Sequence, residues 1–76
     1  MFGLLFESTT DAIRQIRNEE SLGYWPVIAA GTVIENFNNE YRDSNRGTHY
    51  RNDRDCLIGA LRHLGSPYAE LEERVL

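Results

Sequence analysis

The chain has 76 residues, eight basic and twelve acidic side chains and a net charge of −4 at pH 7. A chain of this length holds one domain, 1–76, and buries only about 60% of its unfolded surface, so small folds are commonly reinforced by disulfides, a metal or a partner subunit. The lone cysteine excludes an intramolecular disulfide, no C-x-x-C or H-x3-H spacing offers zinc ligands, and no run approaches the roughly 20 apolar residues of a membrane helix, which leaves oligomerisation or docking on a partner.

The start, "MFGLLFESTT", is apolar but has neither the basic n-region nor the small-residue cleavage pattern of a secretion signal. With an unpaired thiol, this predicts a reducing, cytoplasmic setting. "STTD" is the first helix signal: Ser8 caps and Asp11, three residues on, reaches back. The helix is predicted to run to about Leu22, with Gly23 as its C′ residue. Its apolar face, Ala12, Ile13 and Ile16, is narrow and needs a neighbour to hold it.

In "GYWPVIAAGTVIENFNNEYR", Pro26 suits the first helical position, where its missing N–H costs nothing. Val27, Ala30, Val33, Ile34, Phe37 and Tyr41 fall on one stripe at helical spacing, with Thr32, Glu35, Asn36 and Asn39 on the other face. Trp25 and Ile28 fall off the main stripe. The β-branched run at 27–34 offers a buried strand as the competing assignment, but the pattern continues through Phe37 and Tyr41, which favours helix.

"DSNRGTHYRND" reads as a polar loop hinged at Gly47, after which "NDRD" repeats the capping logic with Asn52 as cap and Asp55 three residues on. Cys56, Leu57, Ala60, Leu61 and Leu64 form the apolar face of a third helix ended by Gly65. Ser66 as cap and Pro67 at the first position restart a fourth, with Tyr68, Leu71 and Val75 inward and Glu70, Glu72 and Glu73 toward solvent. The predicted fold class is all-α: a small bundle of three to four helices with a C-terminal αα-hairpin and an extended apolar N-terminal arm.

Four stretches carry chemistry-bearing side chains. Cys56 is expected in the first turn of its helix, where the dipole favours thiolate. His63, seven residues on, lies roughly 10 Å along the axis, beyond the roughly 3 Å reach of a base, and Asp55 opposes the thiolate. "RDCLIGALRHLGSPYAELEERV" resembles the cysteine-bearing helix and following helix of some papain-like and related cysteine peptidases, through Asp55-Cys56, Leu57, Ile58, Ala60-Leu61, Gly65 and the acidic helix beyond. The resemblance implies Cys56 as nucleophile, with its histidine and third polar group supplied by a β-sheet after the helix pair. Read by themselves, the residues place Cys56 on the core stripe.

Residues 41–54 hold four arginines against two acids, interleaved with Tyr41, His49 and Tyr50. These residue types contact phosphates and stack on bases. A surplus of two in an acidic chain is nevertheless far from the basic footprint of a nucleic-acid binder, and the three glutamates of the last helix exclude the hairpin as a reading head. His49, Asp53 and Asp55 match no recognised ligand spacing, so no metal or other cofactor is expected.

The surplus apolar side chains decide the functional expectation. Phe2, Leu5, Phe6, Trp25 and Ile28 are hard to bury together in so small a core. With Arg42, Arg46 and Arg51 they make the aromatic, aliphatic and arginine mixture typical of interface hot spots. The expectation is a non-enzymatic protein–protein interaction module: a small stoichiometric regulator or inhibitor of bacterial or bacteriophage type that covers a larger protein and self-associates as a dimer. One alternative is a nucleic-acid-associated protein using loop 41–54. The other is a minimal or degenerate cysteine hydrolase centred on Cys56.

Overall fold

The computed structural model describes residues 6–44 and 48–76, with the backbone alone at 48 and 49. Three α-helices, α1 (Thr9–Ser21), α2 (Pro26–Asp43) and α3 (Thr48–Leu64), precede a 3-10 helix over Tyr68–Arg74. No strand occurs among the described residues, so the expected all-α class is the one found. The arm expected over residues 1–6 lies outside the described residues except for Phe6, which is buried.

α1 starts where its cap dictates. Ser8 is extended, and its hydroxyl accepts from the Asp11 N–H at 3.2 Å. Asp11 reaches one residue further back than a capping box requires, its Oδ2 accepting from the Glu7 N–H at 3.4 Å. Gly23, at φ +97°, takes the left-handed conformation that ends the helix. Ala12 and Ile16 are buried, and Ile13 packs beside them.

In α2 the buried residues are Ala29, Ala30, Val33, Ile34 and Phe37, with Tyr41 partly buried at the far end. Val27, expected on the inward stripe, is instead 40% exposed. It sits in the first turn, where the chain has just left α1, and Ala29 takes an inward place that the pattern did not assign. The stripe is correct in direction and one turn too long.

α3 departs most from expectation. It starts at Thr48, so Asn52 lies inside the helix, and most of the expected loop is helical. Asp53, one residue after the expected cap, is 1% exposed, and its Oδ1 accepts from the Phe6 N–H at 3.2 Å. A cap at Asn52 is worth about 1 kcal/mol. An earlier start gains further turns of backbone hydrogen bonds and brings Asp53 onto the face it shares with Leu57, Ala60 and Leu61. A contact 47 residues away in sequence thus outweighs the local signal.

The hairpin after Gly65 (φ +79°) forms as expected, but its second arm is a 3-10 helix with Pro67, not Ser66, at the N-cap. The Ser66–Pro67 peptide is cis. A repeat of three residues per turn puts Tyr68 and Leu71 on one line. Both pack against the core, and Val75 is buried beyond them.

α1 packs on both α2 and α3, and the 3-10 helix closes against α3 and α2. Phe37 occupies the centre, its ring centroid 6.2 Å from Phe6 and 5.8 Å from Tyr41. Contact between α1 and α3 depends on Gly59, where an added Cβ would lie 2.9 Å from Thr9 Oγ1. The C-terminal segment is clamped by one side chain: Asn38 donates to Arg74 O at 2.9 Å and accepts from the Leu76 N–H at 3.1 Å. Asn38 fixes the segment along the second half of α2, and Arg54 of α3 adds a bond to Leu76 O.

Candidate functional site

The turn between α1 and α2 exposes the large apolar side chains that the core leaves over. Leu22, Tyr24, Trp25, Val27 and Ile28 are all exposed, Trp25 by 73%. Tyr24, Trp25 and Ile28 line, with Gly23, an open groove of about 290 Å³. A Cβ at Gly23 would meet open space, with nothing within 4 Å, so the left-handed φ of +97° and not crowding is what calls for glycine there. The corner is also neutral: from Ser21 to Ile34 the sequence carries no charged residue.

Local structure explains the corner's shape but not its side chains. After the left-handed Gly23, Trp25 is extended (φ −68°, ψ 146°), and its carbonyl accepts the first bond of α2, from Ala29 N at 2.8 Å. Trp25 is therefore the N-cap of α2, and its side chain makes no capping hydrogen bond. Serine, threonine, aspartate or asparagine there would satisfy an orphan N–H. An indole at this position forgoes that bond and stands in water, so folding alone gives no reason for it.

The corner is held from behind. Tyr68, which opens the 3-10 helix, donates its hydroxyl to Glu20 Oε1 in the last turn of α1. Burial, the bond to Glu20 and the charge of Glu20 together push the Tyr68 phenol up to about 12, against a smaller opposing effect of Arg17. A raised pKa means that the neutral phenol is favoured by folding. Its contribution is complete below the unfolded value near 10 and is lost as pH rises through about 12. Urea titrations from pH 9 to about 12.5 should therefore show wild type losing stability relative to Tyr68→Phe over that window; parallel curves would remove Tyr68 from this role.

On the opposite side of the hairpin, Arg62 forks onto Glu72, with Nε donating to Oε2 at 2.9 Å and Nη2 to Oε1. This bond holds the Glu72 carboxyl below its ordinary range and raises the guanidinium. Both groups lie at the surface, so the pair orients the hairpin more than it stabilises it.

Among the described residues, those expected to act together are not all at this corner. Trp25 and Ile28 share the corner. Arg42 lies at the other end of α2, about 24 Å along the axis, exposed and bonded to Asn39. Arg51 is exposed near the start of α3. Phe6 is in the core at 3% exposure and is closed to any partner of the folded chain. Phe2, Leu5 and Arg46 lie outside the described residues. Leu22, Tyr24 and Val27 complete the corner without belonging to the expected set; the signal for them is the uncharged stretch after Glu20, which helical periodicity divides between two elements.

Cys56 is the ninth residue of α3 rather than a first-turn residue, which removes the dipole argument for a thiolate. It is half-buried against the core, and burial, Asp53, Asp55 and Asp11 push its pKa up. His63 is exposed two turns further along the same helix. In the arginine segment, Arg54 is tied to the backbone of Leu76. Of the residues weighed as metal ligands, Asp53 is buried while Asp55 is exposed, and the His49 side chain lies outside the described residues. No helix among the described residues is long and apolar enough to cross a membrane. Comparison with protein-family models, with curated proteins and with solved structures finds no match.

Proposed function

We propose that this chain is a non-enzymatic protein–protein interaction module, a small stoichiometric regulator or inhibitor, that engages a larger protein through the corner between α1 and α2. The observation that carries this reading is Trp25: a 73% exposed indole at a helix cap, bordered by four further exposed apolar side chains. Exposed apolar clusters rimmed by polar residues are typical of contact surfaces, and tryptophan is the side chain most enriched among those that dominate binding.

Trp25→Ser separates folding from binding. Serine restores a cap, so α2 should gain about 0.5–2 kcal/mol, or at least lose nothing. The tagged wild-type chain should recover one protein in stoichiometric amount from native-host lysate after nuclease treatment, and the Trp25→Ser chain, folded at least as stably, should not. Recovery of nucleic acid alone, or of the same protein by both chains, would overturn the reading.

A further inference from the structure

From the same corner we infer that this chain forms a two-fold dimer, in which Trp25 of each copy covers the groove of the other. The inference rests on the corner being the contact surface proposed above, and it names a second copy as what covers that surface when no larger protein does.

Charge is the first argument. Two copies of a chain carrying −4 repel each other wherever their acidic surfaces meet. The uncharged stretch from Ser21 to Ile34 is where they can approach without that penalty, and all five exposed side chains of the corner fall within it. Of the two acids that bound the stretch, Glu20 is already bonded to Tyr68, and Glu35 lies about two turns beyond Ile28.

Shape is the second. A two-fold contact requires a patch to fit itself. Here the exposed Trp25 indole itself lines the open groove with Gly23, Tyr24 and Ile28, so one short segment supplies both an exposed ring and the hollow that a second ring can cover.

Area is the third. A large aromatic side chain carries about 150–250 Å² and an aliphatic one less, so the exposed fractions at this corner amount to about 500–600 Å² per copy. Specific dimers bury upward of about 600 Å² on each partner. The corner stands at the lower edge of that range, which fits a dimer that dissociates on dilution and yields to a tighter partner. Partner binding and self-association then compete for the same side chains.

Trp25 is the sole tryptophan and reports directly on this contact. Sedimentation equilibrium of the purified chain should show monomer passing to dimer between about 1 μM and 1 mM, with tryptophan emission moving to shorter wavelength over the same range. Ile28→Glu keeps the reporter and should weaken the dimer at least about 30-fold, as should Trp25→Ser. The wild-type constant should change little between about 0.05 and 0.5 M salt, because the contact is uncharged. A chain that stays monomeric at 1 mM, a dimer that survives both substitutions, or a blue shift seen only when neutral phosphatidylcholine vesicles are added to monomer would each overturn the dimer. A monomer that still captures a protein through Trp25 overturns only the dimer. A Trp25-dependent dimer that captures nothing leaves the dimer standing and overturns the proposed function.

Discussion

Replacing Phe37 by alanine is expected to remove about 3–5 kcal/mol from the stability of this chain. The ring is completely buried and meets Phe6 on one side and Tyr41 on the other. Truncation therefore loses the transfer free energy of the benzyl group and leaves a cavity that three elements would have to move together to close. A 76-residue domain has only about 4–11 kcal/mol in total, so the variant should be marginal at 25 °C and should unfold in urea at a much lower midpoint. Phe37→Leu refills most of the volume and should cost about 1–1.5 kcal/mol. Equal midpoints for the two variants would mean that the core does not depend on this ring.

The second large effect is expected at Asp53. Its carboxyl is buried and accepts the Phe6 N–H, tying the segment before α1 to α3. Asp53→Ala leaves that N–H buried without its acceptor, a loss of about 2–3 kcal/mol. Asparagine keeps an oxygen in place and should lose less than half as much. Amide hydrogen exchange locates the effect: the Phe6 amide should exchange far faster in the alanine variant, while amides in the second half of α2 keep their protection until global unfolding. An alanine variant with wild-type exchange at Phe6 would show that other contacts suffice to hold this segment.

These two residues also mark where reading the sequence succeeded and where it did not. Phe37 was legible because it belongs to a periodic stripe, and one-sided burial of a helix is a repeating property that a pattern can register. The start of α3 was misplaced because "NDRD" matches a capping signal at Asn52, and the contact that buries Asp53 comes from residue 6. Phe6 was read as a surface anchor for the same reason: its apolar character was plain, but the presence of a niche between Phe37 and Asp53 was not.

The candidate site divides similarly. Trp25 and Ile28 were recognisable because they fall off the stripe of α2 and have no inward face to occupy. Arg42 does not share their corner, because α2 carries it to the far end of the same helix. Tyr24 joined the site only through the left-handed turn at Gly23, where it lines the groove with Trp25 and Ile28.

The sequence alone determined what depends on neighbours within about four positions: the cap at Ser8, the stop at Gly23, the start at Pro26, the turn at Gly65 and the direction of each helix's inward stripe. Such features arise from backbone sterics and hydrogen bonds closed within a turn, so a short window contains their whole cause. Tertiary structure alone decided the early start of α3, the burial of Phe6 and Asp53 and the 3-10 form of the last helix. Each of these is set by a contact between segments far apart in the chain, where packing and buried hydrogen bonds outweigh a local preference of about 1 kcal/mol.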